Sequence, residues 1–321
     1  MFEGNQKKVT QLTTKDLETI KARLHALVEI ASINGYAISI KEILLMLPKG
    51  QDCQGIKKII KDNNDLFHSL IINNGFLAKK GFEKFFDKRT ISEKISLEYL
   101  IKAKNFSKIV MQYCPYVKLI GVSGSVSYHS ATRSDDIDLF LITNKRRLWI
   151  SMLKILLLAR VFKLKAVLNG LRLDFCLSYA KDVKVFGNDL LSNKTPLFAR
   201  EFLSVHILKG LIYYKKMLKQ WKWIQKIFPE FYNYKLEKLA QNKDESPSIT
   251  KEKKNVNNVL DLLAYTILKV YLSFKSFQLN LRYRKNGRIK DLFKANISYN
   301  SLIYNSEKYR KIEKMYEPFT S

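Results

Sequence analysis

The chain has 321 residues, of which 46% are hydrophobic and 27% are charged. This length and composition are typical of one large or two to three small globular domains. The three cysteines lie about sixty residues apart and the four histidines are equally scattered. The odd cysteine count argues against a disulfide framework, and no spacing resembles a zinc site.

The formal net charge of +28 is far from ordinary, and it is unevenly distributed. Residues 1–100 hold 16 basic and 12 acidic side chains, whereas residues 101–321 hold 41 and 17. The second region therefore favours a polyanionic partner: a nucleotide, a nucleic acid or an acidic membrane face. A lysine-rich surface that reflects an AT-rich genome explains the same excess, and both interpretations stay open.

The sequence shows neither a typical secretory signal nor a typical membrane span. Residues Met1–Thr14 are polar and charged, which is not typical of a secretory signal. The stretches Trp149–Leu168 and Val259–Leu279 are long and apolar, but basic and acidic residues interrupt both, so neither reaches the uncharged length of a membrane span. We interpret both as amphipathic helices and expect a soluble, cytoplasmic protein without an integral membrane segment.

The first ninety residues show the pattern of a small helical module with a hairpin. Apolar residues at helical spacing predict a helix over residues 14–33, capped by Thr13 or Thr14. Short helices are predicted over residues 39–47 and 54–62, and a hairpin around Asn73-Asn74-Gly75. This order predicts a winged helix-turn-helix over residues 1–90. Such a module docks DNA or a protein, and its near-neutral charge weakens the DNA interpretation.

The remainder predicts an α+β protein with two further parts. A connecting helix over residues 83–113 leads into a strand, turn, strand, helix and strand between residues 117 and 178. We therefore predict a small mixed-sheet core over residues 91–185. Helical periodicity beyond Asn188 predicts a helical C-terminal region over residues 186–321, with a disordered loop near residues 241–258 and a last helix that is followed by a basic, asparagine-rich tail.

Three aspartates mark the start of the second core strand, "DDIDLFLIT". Because side chains alternate along a strand, Asp136 and Asp138 point to one face and Asp135 to the other. Carboxylates held side by side repel one another, so a cation is expected with them. Two such carboxylates suit Mg²⁺, which binds oxygen ligands together with phosphates and water.

Two further features flank this pair. Gly124-Ser125 follows the strand "VKLIGV", where glycine lets the backbone approach a ligand and a helix start would aim N–H groups at a phosphate. Asp174 lies in the apolar strand "LRLDFCLS", at an edge of the site or facing a metal. Each feature alone is also explained by an ordinary turn, a strand cap or a solvent-facing acid. Their order is what makes the combination specific.

The motifs "GVSGS", "SDDIDLFLI" and "LDFCLS" resemble the nucleotidyltransferase fold of the DNA polymerase β superfamily. More narrowly, the chain is similar to prokaryotic proteins that join a winged helix to a "GS…DDIDL" nucleotidyltransferase domain, a similarity that extends into residues 196–203 and 219–231. The resemblance implies that Gly124 and Ser125 hold a nucleoside triphosphate such as ATP. It also implies that Asp136, Asp138 and Asp174 bind Mg²⁺ or Mn²⁺, with Asp174 assisting the attacking hydroxyl as a base.

Two positions depart from that pattern. Val126 follows the serine where many relatives have arginine or another polar residue. The additional Asp135 makes the assignment of the metal-binding pair depend on the register of the strand.

The implied activity is transfer of a nucleoside monophosphate to an acceptor hydroxyl, and the basic surplus favours RNA, tRNA in particular, as that acceptor. Alternatives are nucleotidylation of a protein or a small molecule, and a catalytically silent nucleotide sensor whose winged helix binds DNA or protein. Peripheral attachment to an anionic membrane through residues 259–281 is a fourth possibility.

Several other residues have two interpretations each. The basic run Lys145–Arg147 fits phosphate contacts or an exposed helix start. Glu201 fits a site residue, although a solvated helix face is favoured. Trp221, Trp223 and Tyr232 fit stacking on bases, although ordinary helix packing is favoured.

Overall fold

The computed structural model describes residues 13–48, 50–170, 172–192, 194–241 and 258–320. These residues form a mixed α+β structure with two sheets, one of three strands and one of six. The predicted α+β class is thereby confirmed. The loop predicted near residues 241–258 lies almost entirely outside the described residues.

The N-terminal elements follow the predicted order of helices and a hairpin. They are α1 (Thr14–Ile33), β1 (Ile38–Ser39), α2 (Ile40–Leu44), α3 (Cys53–Asp62), α4 (Asn64–Phe67), β2 (Leu70–Asn73) and β3 (Phe76–Lys79). Thr13 caps α1 through a capping box with Asp16. The turn between β2 and β3 places Asn74 and Gly75 at positive φ, as a two-residue hairpin requires. The predicted hairpin is confirmed.

A long helix, α5 (Lys84–Tyr113), leads from this unit to the six-stranded sheet. The sheet order is β7-β4-β5-β6-β9-β8, formed by β4 (Val117–Val122), β5 (Ile137–Thr143), β6 (Phe175–Asp182), β7 (His206–Lys209), β8 (Phe293–Ser298) and β9 (Ser301–Ser306). Among the strands of the described residues, only β5 and β6 pair in parallel, and the helix α7 (Leu148–Leu168) connects them. The short helix α6 (Gly124–Ser127) follows β4.

The C-terminal region is only partly as predicted. Its helices are α8 (Val183–Ser192), α9 (Pro196–Ser204), α10 (Leu211–Gln220), α11 (Lys222–Ile227), α12 (Pro229–Gln241), α13 (Asn258–Lys285) and α14 (Glu307–Lys314). However, β7, β8 and β9 also belong to this region and extend the central sheet. The predicted tail is in fact the hairpin β8–β9. β7 pairs with β4 and β9 pairs with β6, both far away in sequence, so local periodicity does not show them, and β8 pairs with β9.

Both faces of the central sheet are covered, as the alternating side chains of β5 show. Phe140 and Ile142 pack in the same core as the N-terminal unit and helices α9–α11. Ile137, Leu139 and Leu141 pack on the other face against α5, α7 and α13. The even-numbered face of β5, which carries Asp136 and Asp138, is therefore the face toward the N-terminal unit and α9.

Candidate active site

Parallel pairing of β5 with β6 aligns the three predicted carboxylates. Asp138 is opposite Cys176, and the backbone N–H of Ile137 donates to the Asp174 carbonyl at 2.9 Å. Paired residues of neighbouring strands point to the same face, so Asp136 is aligned with Asp174 two residues earlier. The register thus places Asp136 beside Asp174 just before the two strands begin, while Asp138 lies inside β5.

The pKa of Asp138 is shifted further from its ordinary value than that of Asp136. Burial, followed by the charges of Asp136, Asp135 and Glu201, raises the pKa of Asp138 to about 7. A register shift after Leu139 places Ser178 beside it, and the Ser178 hydroxyl donates to the carboxylate. The hydrogen bonds with Ser178 and with the Cys176 thiol do not offset burial and the neighbouring negative charges, so a cation bound here would relieve an existing electrostatic cost.

Asp136 and Asp174 have different surroundings. Asp136 is exposed, and its pKa is raised by partial burial and then by the charge of Asp174. Asp174 is half-buried and forms an ion pair with Lys163, whose Nζ lies 2.5 Å from Oδ1, while Arg172 Nε lies 3.8 Å from Oδ2. The chain itself therefore supplies part of the positive charge that the clustered carboxylates require.

The donors suit Mg²⁺ or Mn²⁺ only in part. Asp136 and Asp138 offer carboxylate oxygens to the cavity, and burial, followed by the neighbouring acids, raises the pKa of Asp138. Over the described ranges, however, no group of three or more His, Cys, Asp or Glu residues is arranged to hold a metal ion. The pair fits a divalent cation, whereas the Asp174 carboxylate forms an ion pair with Lys163.

The turn after β4 brings backbone against the Asp138 side chain. Gly124 has φ +64°, and a Cβ there would overlap the Asp138 carboxylate. The backbone N–H of Ser123 donates to the Asp138 carbonyl at 2.9 Å. Glycine is required at position 124 both for its left-handed conformation and for this close approach. The predicted pair Gly124-Ser125 thus lies directly beside the predicted carboxylates.

Substituting Gly124 tests this close approach. Gly124→Ala is expected to lower the free energy of unfolding by about 2–3 kcal/mol, because the left-handed backbone costs about 1 kcal/mol and the Asp138 carboxylate must also move. Gly75→Ala is the matched control: its φ is +80°, but nothing lies within 4 Å of the added Cβ. Urea denaturation of both variants measures the difference. Equal losses would show that residue 124 does not constrain Asp138.

A cavity of about 1140 Å³ opens in front of this turn. Gly124, Ser125, Asp136 and Asp138 are part of its wall, whereas Asp174 is not. Residues from the N-terminal unit, α5, α9, β9 and α14 complete the wall. The volume exceeds that of most small-molecule pockets, so there is room for a nucleotide and part of a second substrate.

Helix α9 contributes two charged residues to the cavity wall. The Glu201 carboxylate accepts a hydrogen bond from Tyr128 Oη at 2.6 Å, and burial raises its pKa. The prediction that Glu201 lies on a solvated helix face is therefore wrong. Arg200 is buried, donates to Tyr36 Oη at 3.1 Å, and stacks over Tyr128 at 4.4 Å.

The sequence analysis does not identify Arg200 as a cavity residue. The sequence does contain one indication of it: Arg200 and Glu201 are adjacent inside the apolar stretch "PLFAREFL", so at least one of the two charges is expected to face the interior.

The other candidate residues lie away from the cavity. Lys145–Arg147 follow the far end of β5, so the length of the strand separates them from the carboxylates. Trp221 and Tyr232 are buried in the helical core, where Trp221 packs on Phe186 and Phe202. Packing, the favoured interpretation, is confirmed for both.

No protein-family model matches the chain, and no curated protein and no solved structure matches it significantly. Across the ranges that the structure describes, no helix combines the length and the apolar character needed to span a bilayer.

Proposed function

We propose that this protein is a nucleotidyltransferase that transfers a nucleoside monophosphate from a nucleoside triphosphate to an acceptor hydroxyl. The observation that carries the proposal is the pair of carboxylates of Asp136 and Asp138 in the wall of a large cavity, with the Gly124 turn against Asp138 and with Asp174 beside Asp136 just before the neighbouring parallel strand. Resemblance of the motifs to nucleotidyltransferases supplies the reaction type.

In this proposal the N-terminal unit is a winged helix and β4–β6 with α7 are the nucleotidyltransferase core. Tyr36 of the N-terminal unit contacts Arg200, and both line the cavity with the carboxylates. This contact favours a winged helix that helps to form the substrate pocket and presents another surface to a protein or to DNA.

The residues have the following roles in the proposed reaction. Asp136 and Asp138 would hold Mg²⁺ or Mn²⁺, which supplies charge neutralisation at the phosphates. Gly124 and Ser125 would position the triphosphate by backbone contact. The acceptor oxygen bonds to the α-phosphorus, the bond to the bridging oxygen breaks, and pyrophosphate leaves. Asp174 would take the acceptor proton, which requires that Lys163 release its carboxylate and that the carboxylate turn toward the cavity, whose wall does not include it.

RNA, and tRNA in particular, is the acceptor class that we would test first. The surplus of 24 positive charges over residues 101–321 favours a polyanion. Lys181 and Lys308 also line the cavity, on the side of β6 and α14. A protein or small-molecule acceptor fits the same chemistry.

One observation favours a second candidate function, a catalytically silent nucleotide sensor. The ion pair of Lys163 with Asp174 occupies the carboxylate that the reaction needs as a base. A sensor would bind a nucleotide at the same turn and transfer nothing.

Labelled nucleotides distinguish these functions. The protein is incubated with α-labelled triphosphates, Mg²⁺ and total RNA, and compared with Asp136→Asn. Label in RNA from wild type alone supports the proposal with RNA as acceptor, whereas label on protein indicates a protein acceptor. Magnesium-dependent nucleotide binding without transfer indicates the sensor.

Asp135→Asn is the matched control. The Asp135 carboxylate accepts the backbone N–H of Thr132 at 2.9 Å, which an asparagine oxygen can also do. Transfer by this variant should remain within a few-fold of wild type, because removing Asp135 leaves the aligned pair intact. A loss as large as that of Asp136→Asn would contradict the assignment of the pair.

A further inference from the structure

The outer side of α13 carries a continuous seam of exposed apolar residues. Their spacing alternates between three and four residues over 22 positions: Leu260, Leu263, Ile267, Val270, Phe274, Phe277 and Leu281. All seven are exposed, and Val270 is 68% exposed. This spacing is the a/d pattern of a coiled coil, sustained for three heptads.

The opposite side of α13 is firmly attached to its own chain. Arg147 donates to Asn258 at 3.1 Å, Ile150 N–H to Asp261 at 2.9 Å, and Arg160 to Tyr271 at 3.1 Å. The partners are 111 residues apart in each contact, so α13 runs parallel to α7 over the first half of α13. The seam therefore lies on a helix whose opposite side is held against its own chain.

Residues that flank the seam are uncharged. The e and g positions of its heptads are Ala264, Thr266, Tyr271, Ser273, Gln278 and Asn280. These positions decide partner choice in coiled coils, because like charges there repel. The chain has 57 basic residues, yet none occupies a flanking position. Two identical seams can therefore meet without repulsion along their edges.

An anionic lipid surface explains this pattern less well. A helix that lies on such a surface gains affinity from lysine and arginine beside its apolar face. Lys269 and Lys275 instead lie at the c and b positions, away from the seam, and three cations gather at the helix end, at Arg282, Arg284 and Lys285.

We propose that a second copy of this chain covers the seam, in an antiparallel pairing of two α13 helices about a two-fold axis. Antiparallel packing keeps the two sets of C-terminal cations at opposite ends, whereas parallel packing would bring all of them together. The axis lies midway between Ile267 and Val270, so that Ile267 of one copy packs against Val270 of the other. This pairing is independent of the proposed activity.

The full-length chain is tested by sedimentation equilibrium. Wild type is expected to be a dimer, and Val270→Asp to weaken self-association by at least about 100-fold, because a carboxylate enters an apolar interface on both sides of the axis. Leu262→Asp is the matched control: Leu262 is 53% exposed on the same helix but lies outside the seam, so the dimer should persist. Circular dichroism checks that both variants fold.

A monomeric wild type at its highest soluble concentration overturns the proposal, and so does a dimer that Val270→Asp leaves unchanged. Sedimentation of a monomeric wild type with phosphatidylserine vesicles, lost in Val270→Asp, overturns it in favour of a lipid surface.

Cross-linking tests the orientation. In the antiparallel pair, a short bis-maleimide is expected to link Val270→Cys protein across the axis but not Leu281→Cys protein, whose new thiols lie roughly 35 Å apart at 1.5 Å rise per residue. Wild type, with its three native cysteines, gives the background. Efficient linkage at position 281 overturns the antiparallel arrangement.

Discussion

Asp138→Asn is expected to reduce nucleotidyl transfer by roughly 1000-fold or more, because removal of a metal-binding carboxylate costs several kcal/mol of transition-state stabilisation. Asparagine preserves the shape of the side chain and can still accept from Ser178, so the loss reports the missing charge. The measurement is the initial rate of label transfer to the acceptor that the labelling experiment identifies.

Ser178→Ala is a milder change at the same site, with which the rate of Asp138→Asn can be compared. It removes the hydrogen bond to Asp138 but leaves the carboxylate, so the rate should fall about tenfold, in line with the loss of one charge-assisted hydrogen bond. Comparable rates in Asp138→Asn and wild type, with both proteins folded, would remove Asp138 from the reaction and with it the proposed mechanism.

Much of the fold can be predicted from local patterns. Helix α1 begins at the predicted cap Thr13, and the turn Asn74-Gly75 gives the predicted hairpin. Such features depend on residues within a few positions of one another. The strands β7 and β9 were missed because each pairs with a strand more than eighty residues away, and β8 was missed together with β9, its hairpin partner. Pairing at that distance leaves no periodic trace in a single sequence.

The same distinction applies to the candidate site. Alternation along β5 was enough to place Asp136 and Asp138 on one face, and the order of elements placed Asp174 on a neighbouring strand. The contacts of these residues were not predictable. Lys163 reaches Asp174 from α7, and Glu201 reaches the cavity from α9, only because those helices pack beside the strand ends.

The clustered carboxylates of this basic chain are only partly neutralised by its own cations. Asp174 has Lys163 and Arg172, whereas Lys275 acts on Asp136 from α13. Asp138 has the Ser178 hydroxyl and the Cys176 thiol as hydrogen-bond partners and three acidic neighbours. The strongest demand for a further cation therefore lies at Asp138, beside the Gly124 turn, where a nucleotide and its metal ion would enter.

This imbalance predicts that Asp138 destabilises the folded protein at neutral and alkaline pH when no divalent cation is present. Its folded pKa of about 7 exceeds an unfolded value of about 3.9. The folded state therefore binds more protons between these values, and the free energy of unfolding falls as pH rises through that window. The full pKa difference corresponds to a loss of about 4 kcal/mol in the free energy of unfolding, and solvent screening of the partly exposed carboxylate reduces this loss to roughly 1–2 kcal/mol.

Asp138→Asn should consequently be more stable than wild type at about pH 8, with a much smaller difference near about pH 4.5, where the acid is protonated in the folded protein. Urea denaturation in a chelating buffer measures both differences. Ser178→Ala should instead be less stable than wild type at the higher pH, because it removes a hydrogen-bond donor to the ionised Asp138 carboxylate. Mg²⁺ should then stabilise wild type and leave Asp138→Asn unchanged, since only the carboxylate gives the ion a preferred site in the folded state. If Asp138→Asn were the less stable protein at both pH values, Asp138 would be a structural acid already balanced by its surroundings, and neither a cation nor a catalytic role would be needed to explain it.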